Sequence, residues 1–292
     1  VGMRDVAKKA GVSLSTVSLV VNGNGYVSND MRDRVRKAMQ ALNYVPNELA
    51  RNLYHDRTNL VGVIVPTIRH PFFATFTAHL QHALAAQGLR TMLCSTTDET
   101  DGEIQYVDML RRHMMDGIVM CAHTSHPGDY WTSIHRPIVA FDRVLGNGIS
   151  SIGSDHEQGG RLIAQMLIRN GARHVVMIGG PRDQFFDLAV RGEVEEGSFD
   201  LGKTTFPTVR YYLTLEQELT SAGVKYEYIE AGEVMDFAGY HRAVSRALDG
   251  VATDGVDAVV SSDIGAAFCV REALSRGISI PDELQVVAYD CL

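Results

Sequence analysis

Polar side chains that can bind hydroxyl groups come directly after several apolar segments of this sequence. They are Asp142 and Arg143 after PIVAF, Ser262 at the end of DAVVSS, and Asp290 at the end of LQVVAYD. Phe72 and Phe73 follow the first apolar run, LVGVIVP, after a short connection. Two adjacent aromatic residues at a helix start cannot both face the core, so we expect one of them to face a cleft. Carboxylates and an arginine around an aromatic ring suit the hydroxyl groups and the apolar face of a sugar.

Some of these positions also have a purely structural interpretation. Asp142 and Arg143 could form a local pair at the surface. Asp263, which follows Ser262, is most simply the N-cap of the next helix. For Asp290, in contrast, we favour a role in ligand binding.

Other motifs that could carry chemistry are weak. His123 and His126 are spaced too closely for one helix face and have no third ligand nearby, so we expect no metal site. The sequence Gly179-Gly180-Pro181 lacks the GxGxxG spacing, and no P-loop, HExxH motif or Ser/His/Asp set is present. We therefore expect no cofactor and no enzymatic activity.

Alternating strands and helices must position the polar residues. From Leu60 onward, runs rich in Val and Ile alternate with segments that read as helices. The predicted strands are 60–66, 89–95, 117–122, 137–141, 174–180, 225–230, 257–262 and 284–290. The predicted helices are 72–87, 102–113, 158–170, 213–222, 239–248 and 264–276. This alternation predicts doubly wound parallel sheets, which bind ligands at the carboxyl ends of their strands.

The first stretch of the chain, RDVAKKAGVSLSTVSLVVNG, has a different pattern. It predicts a helix that ends at Gly11, a tight turn, and a second helix from Leu14 to about Val21 with Ser13 as its N-cap. A third helix, about 29–43 and capped by Ser28, would complete a three-helix head. Two short helices joined by such a turn are typical of a helix-turn-helix that enters the DNA major groove. A helical cap that binds nothing is the alternative.

Charge is unevenly distributed along the chain of 292 residues, whose net charge is −8. Residues 1–57 hold nine Lys or Arg and five Asp or Glu, a net charge of +4, and the remainder carries −12. A basic head on an acidic body is expected if only the head meets phosphates. The four cysteines form no CxxC pair, and Cys94 and Cys121 fall in apolar runs where a reduced, buried thiol is expected. Without a signal peptide or an apolar run of about 18 residues, we expect a cytoplasmic protein.

Six stretches carry a resemblance to a known family. They are DVAKKAGVSLSTVSLVVNG, RVRKAMQALNYVPNELARNL, LVGVIVPTIRHPFF, PIVAFDR, SDHEQGGRLIAQMLIRNGARHVVMIGGP and PDELQVVAYD. In this order they resemble the lactose/galactose-repressor family of bacterial transcription regulators, over nearly the whole chain. The resemblance implies an all-α head (1–45), a hinge (46–58) and an α/β core (59–292). The core would comprise two doubly wound subdomains, about 59–155 and 156–292, with a cleft between them as in periplasmic sugar-binding proteins.

The resemblance also implies contacts with DNA. Leu14 and Ser15 are the positions that read bases, with Leu19 one turn further on. Leu19 cannot bond to guanine as an arginine would, but it could touch a thymine methyl group. Hydrogen bonds to phosphates are expected from Ser13, Thr16, Ser18 and Asn22, although Thr16 and Ser18 could simply be helix surface.

The segment ELARNL, which Asn47 could cap, is too short to be stable alone and reads as a linker on composition. The resemblance favours a hinge helix that pairs in a dimer and inserts Leu53 into the minor groove.

Two departures from the family pattern affect the site. A long acidic stretch, about 183–209, separates the Gly-Gly-Pro turn from the next helix, so either Arg191 or Arg210 could reach the cleft. We favour Arg210 on its spacing. In addition, the family continues beyond the position of Leu292, so we expect further residues there.

The sequence thus predicts a homodimeric repressor whose operator affinity responds to a small effector, by resemblance a sugar. Two alternatives remain. One is an α/β enzyme acting on a sugar or nucleoside, with a helical cap. The other is a regulator that answers to a partner protein.

Overall fold

The chain forms two compact units, Val1–Thr58 and Asn59–Leu292. The computed structural model describes residues 1–46, 57–97, 101–124, 126, 129–186, 204, 206–233 and 236–290. None of the helices in these ranges is both long enough and apolar enough to cross a membrane.

The first unit contains three helices, α1 (Met3–Ala10), α2 (Leu14–Asn22) and α3 (Asn29–Ala41). Val6, Val17 and Val35 are fully buried between them. Gly11 ends α1 in the left-handed conformation, with a φ of +62°, which glycine adopts without strain. The three helices predicted for the head are therefore confirmed.

The second unit begins with a parallel sheet of five strands. These are β1 (Leu60–Val65), β2 (Arg90–Ser95), β3 (Gly117–Met120), β4 (Ile138–Phe141) and β5 (Ser150–Ile152), in the order β2-β1-β3-β4-β5. The strand β5 was not predicted, because its residues are exposed and carry no apolar run. Helix α4 (Pro71–Ala86) covers one face of the sheet, and α5 (Gly102–Arg111) and the buried Trp131 cover the other.

A second parallel sheet has four strands. They are β6 (His174–Gly179), β7 (Lys225–Glu230), β8 (Ala258–Ser261) and β9 (Gln285–Ala288), in the order β7-β6-β8-β9. Helices α6 (His156–Arg169) and α7 (Val209–Ser221) pack on one face, around Leu167 and Leu215. Helices α8 (Phe237–Thr253) and α9 (Asp263–Ser275) pack on the other, around Val244 and Cys269. The prediction of two doubly wound parallel sheets and a helical head is confirmed.

Candidate functional site

Three hydroxyl groups lie together at the start of α2. The Oγ of Ser13 accepts a hydrogen bond from the backbone N–H of Thr16 at 3.1 Å, which confirms Ser13 as the N-cap. The same oxygen is 2.7 Å from Oγ of Ser15 and 2.8 Å from Oγ1 of Thr16. A helix start that carries several hydroxyl groups is a favourable environment for a phosphate.

The outer face of α2 is uncharged. Leu14 is 45% exposed and Leu19 is 38% exposed. Ser18 and Asn22 are half-buried rather than fully outside, and Nδ2 of Asn22 donates to Oγ of Ser18 at 3.2 Å. The exposed and half-buried side chains of α2 thus offer hydroxyl, amide and apolar groups and no charge.

The positive charges of the head come from the other two helices. Lys8 and Lys9 on α1 and Arg36 and Lys37 on α3 are exposed. Arg34 has a different role. Its Nε and Nη2 donate to the carbonyl of Ala10 at 3.1 and 2.8 Å, and Nη2 also donates to the carbonyl of Gly11 at 2.9 Å. Arg34 therefore stabilises the end of α1, a role that no local sequence signal indicated.

Two of the predicted DNA contacts, Asn47 and Leu53, lie outside the described residues, as does Arg191.

A cavity of about 840 Å³ lies at the carboxyl ends of strands from both sheets of the second unit. Six of the seven predicted effector-binding residues line it, namely Phe72, Phe73, Asp142, Arg143, Ser262 and Asp290. The structure thus brings together residues that are more than 200 positions apart in the sequence. A volume of this size suits a small-molecule ligand.

The two adjacent phenylalanines at the start of α4 differ in how deeply they are buried. Phe73 packs in the core against Val63 and Val65. Phe72 is half-buried, with its ring stacked on Phe141 at a centroid distance of 6.2 Å and an angle of 25°. Both rings line the cavity, and Phe72 also packs against the core cluster that contains Phe73, so the expected division between a core-facing ring and a cleft-facing ring is not clear-cut.

Asp142 and Arg143 are half-buried in the cavity wall, so the interpretation as a surface pair is wrong. Asp142 has a φ of +46°, in the left-handed region, and its Oδ1 lies 2.9 Å from Nε2 of His156. The guanidinium of Arg143 donates to the backbone carbonyl of Asp142 and lies 5.1 Å from the centre of the Phe206 ring.

Asp290 follows β9 and faces the cavity. Burial, followed by the nearby Asp263, raises the pKa of Asp290 to about 6. A ligand hydroxyl that donates to this carboxylate would favour its ionised form and offset the cost of its burial.

Ser262, and not Asp263 as expected from the sequence, caps the next helix, and Ser262 also lines the cavity. Ser262 is the N-cap of α9, since its Oγ accepts from the N–H of Gly265 at 3.4 Å, and Asp263 is the first helical residue. Tyr240 is another cavity residue, and burial raises the pKa of its hydroxyl.

The prediction for Arg210 is wrong, because this residue is exposed and does not line the cavity. Helix α7 begins at Val209, four residues earlier than predicted. Val209 and Tyr212, three residues apart, share the inner face and line the cavity. Arg210 therefore lies on a different face of the same turn.

Sequence reasoning missed several further cavity residues. They include His70, His123, His156, Phe206, Tyr212, Tyr240 and Tyr289. Tyr289 directly precedes Asp290, so its place at a strand end was available as a signal. Phe206 stacks on His123 at 4.5 Å, and its position within an irregular stretch gave no periodic pattern to read. Among the described residues, no group of three His, Cys, Asp or Glu side chains could hold a metal ion.

The described lining of the cavity is acidic and aromatic. Its carboxylates are Asp142 and Asp290 in the wall and the more exposed Asp183 and Glu233, and the one guanidinium is that of Arg143. Such a lining offers hydrogen-bond acceptors and ring faces, and it repels anions.

A helix-turn-helix unit joined to a two-sheet unit with a cavity at its strand ends defines a ligand-responsive transcription regulator. Residues 2–47 match the model of bacterial regulatory proteins of the lacI family. Residues 58–201 match that of periplasmic binding proteins and the sugar binding domain of the LacI family.

Individual proteins agree with these matches. The chain is 32% identical to the ribose operon repressor of Bacillus subtilis (strain 168), over 99% of this chain and 81% of that protein. It is 31% identical to the sucrose operon repressor of Streptococcus mutans serotype c (strain ATCC 700610 / UA159), over 99% and 82% of the two chains. Among solved structures, the lac repressor dimer bound to operator and the anti-inducer ONPF has the same fold, with a TM-score of 0.75, 20% identity and coverage of 99% and 82%. The chain belongs to the lacI family of bacterial regulatory proteins.

Proposed function

We propose that this chain is a homodimeric repressor whose affinity for a pseudo-palindromic operator is controlled by an uncharged sugar bound in the cavity. The observation that carries the proposal is the meeting of Asp142, Asp290 and the half-buried Phe72 at one cavity, in a chain that also has a helix-turn-helix. In this account α2 reads the DNA, and the residues at the strand ends bind the effector.

The DNA side of the proposal rests on the head. Its second helix presents Leu14, Ser15 and Leu19 outward, while Lys8 and Lys37 are among the exposed charges on the other two helices. Two-fold related heads would match the two half-sites of an operator. The lac repressor, which has the same fold, is a dimer on its operator, and this supports a dimer on DNA for the present chain.

The effector side rests on the acidic, aromatic lining. Carboxylates accept hydrogen bonds from sugar hydroxyls, and aromatic rings cover the apolar face of a sugar ring. The same carboxylates oppose a phosphate group, so we propose an unphosphorylated effector. The relatives named for ribose and sucrose operons support a sugar and leave its identity open.

We further propose that the cavity binds its effector without converting it. Burial raises the pKa of the Cys121 thiol to about 12, so this cysteine is not a thiolate nucleophile at neutral pH. The Ser262 hydroxyl caps α9, where its Oγ accepts from the N–H of Gly265 at 3.4 Å. These two side chains are therefore poorly prepared for nucleophilic attack.

A thermal-shift panel of D-ribose, D-fructose, D-glucose and sucrose, with the matching sugar phosphates, tests the proposal. A sugar at one hundred times its Kd stabilises the fold by about 2.7 kcal/mol, so at least one neutral sugar should raise the Tm. Asp290→Asn should reduce that shift, and Asp282→Asn, at an exposed aspartate outside the cavity lining, should not. Stabilisation by sugar phosphates alone would contradict the proposed class of effector.

A further inference from the structure

One hydrogen-bonded chain of side chains joins the two sheets at the cavity. Nε2 of His156 lies 2.9 Å from Oδ1 of Asp142, which follows β4 of the first sheet. Nδ1 of His156 lies 2.8 Å from the hydroxyl of Tyr289, which follows β9 of the second sheet. All three residues line the cavity, and His156 is only 5% exposed.

The carboxylate of Asp142 fixes the direction of its hydrogen bond with His156, and the neutral imidazole then sets that of the other. An ionised carboxylate only accepts, so Nε2 of His156 must carry the proton that it shares with Asp142. In the neutral imidazole Nδ1 is then an acceptor, and the hydroxyl of Tyr289, which stays protonated because burial raises its pKa above its ordinary value, donates to it. Both nitrogens of a neutral His156 are then satisfied, and the imidazole has a single orientation.

The backbone around the chain leaves it little freedom. A Cβ at Gly153 would lie 2.2 Å from Oδ1 of Asp142, and one at Gly159 would lie 2.7 Å from the Tyr289 ring. The Tyr289 ring also stacks on the buried Tyr211 at 3.9 Å, with an angle of 7°. Glycine at both positions is therefore needed for the close approach of these side chains.

The carboxylate of Asp142 is bound on one side. Its Oδ1 faces His156 and also accepts from the backbone N–H of Ser154 at 3.3 Å. Among the described residues, the hydrogen bonds to this carboxylate fall on Oδ1. Asp142 also lines the cavity, and His156 and the N–H of Ser154 together orient its carboxylate.

We propose that His156 is a positioning residue for effector binding, which fixes the Asp142 carboxylate of one sheet relative to the Tyr289 hydroxyl of the other. The inference rests on the proposed function, because it concerns how the wall of the proposed sugar site is held. His156 need not touch the sugar itself. Without the hydrogen bonds of His156, the Asp142 carboxylate would be less well oriented. The distance between Asp142 and Tyr289, and so between the strand ends of the two sheets, would be less fixed.

Two substitutions of His156 each remove one of its two hydrogen bonds and keep the other. Gln places a side-chain amide near the position of Nε2, so His156→Gln keeps a donor for Asp142 and loses the acceptor for Tyr289. Asn places its carbonyl near the position of Nδ1, so His156→Asn keeps the acceptor and loses the donor. Binding of each neutral sugar that stabilises the parent chain should weaken roughly 10- to 100-fold in His156→Asn and clearly less in His156→Gln. His79→Asn, on an exposed helix position, is the matched control.

A double-mutant cycle shows whether His156 acts through Asp142. Asp142→Gly removes the carboxylate and tolerates the positive φ at this position. In the Asp142→Gly background, His156→Asn should lower the sugar affinity by less than about threefold, because the carboxylate that His156 orients is gone. An equal loss in both backgrounds, or equal affinities of the Gln and Asn variants, would overturn the positioning role.

Substitution of Asp290 distinguishes a failure of the His156 role from a failure of the cavity as the sugar site. If Asp290→Asn weakens sugar binding while the His156 variants do not, the cavity stands and the inference fails. If neither Asp290→Asn nor Asp142→Gly affects the binding of any sugar, the proposed function fails. ¹⁵N NMR of the imidazole, without sugar, should show the Nε2–H tautomer for the signal that His156→Gln removes, and an Nδ1–H tautomer would exclude the link.

Discussion

The two binding surfaces of this protein are built in opposite ways. The proposed DNA-reading face of the head is the exposed side of α2, a helix of nine residues, and lies in a unit with exposed lysines and arginines. The cavity draws on strand ends spread from Pro66 to Asp290, and its described lining is acidic and aromatic. A residue on a single helix can be substituted without moving its neighbours. The positions of the cavity residues, in contrast, depend on how both sheets pack.

The largest expected difference between the two surfaces is their response to salt. Lys and Arg contacts to DNA release counterions, with a log–log slope of about −0.9 per phosphate neutralised. Raising the salt from about 50 to about 200 mM should weaken operator binding on the order of 1,000-fold if about six phosphates are contacted. Binding of a neutral sugar, measured by calorimetry over the same range, should change by less than a factor of two. A flat response of the operator would contradict the role of the head.

A second prediction concerns the buried charge of Asp290. The pKa of this carboxyl is raised from 3.8 to about 6 by burial, so its ionised form destabilises the folded chain. The penalty is absent below pH about 4, grows between pH 4 and 6, and is complete above 6, where it reaches about 3 kcal/mol at about 1.4 kcal/mol per pKa unit.

Without sugar, Asp290→Asn should therefore be more stable than the parent chain at pH 7.5, and the gain should disappear as the pH falls toward 4. Chemical denaturation at several pH values measures the difference, with Asp282→Asn as the exposed control. A gain that is the same at pH 4 and pH 7.5 would show that the carboxylate is not the cause.

A third prediction exchanges one residue of the local surface. Leu19 is exposed on α2 and cannot form the two hydrogen bonds that an arginine makes with guanine. Leu19→Arg should shift the preferred operator toward a guanine in each half-site, by about 1–3 kcal/mol per contact. Selection from a random DNA library with both proteins tests this. Identical selected sequences would mean that Leu19 does not face a base.

The smallest expected effect comes from Arg34, which belongs to the framework of the head. Its guanidinium makes three hydrogen bonds to carbonyls at the end of α1, and its side chain is 46% exposed. Arg34→Ala should destabilise the head by about 1–2 kcal/mol. Arg36→Ala, whose side chain is 64% exposed, should leave the head's stability almost unchanged. Hydrogen exchange of the α1 amides distinguishes the two variants.

The sequence alone predicted the local features well. Ser13 and Ser28 were identified as N-caps, and Gly11 as the end of α1, because each depends only on its immediate neighbours. Six cavity residues were also found, since the carboxyl ends of parallel strands meet at one edge. Asp142 and Asp290 are examples of that rule.

Features that depend on distant packing were not predicted. Arg210 was misplaced because α7 begins at Val209, four residues earlier than predicted, and the helix turns Val209 and Tyr212, not Arg210, toward the cavity. Arg34 reaches carbonyls 23 and 24 residues away, and His156 connects residues 147 positions apart. Periodicity and capping signals contain no information about such contacts.

The central claim is that a sugar in the cavity controls the binding of DNA by the head. The direct measurement is a titration of this chain with its selected operator, with and without the neutral sugar that gives the largest thermal shift. The parent chain and Asp282→Asn should both show a change in operator affinity of about 5- to 150-fold on adding the sugar. In Asp290→Asn, the operator affinity without sugar should be unchanged, and the response should require a roughly 10- to 100-fold higher sugar concentration. An unshifted sugar response in Asp290→Asn, or an operator affinity that does not depend on sugar in the parent chain, would contradict the account.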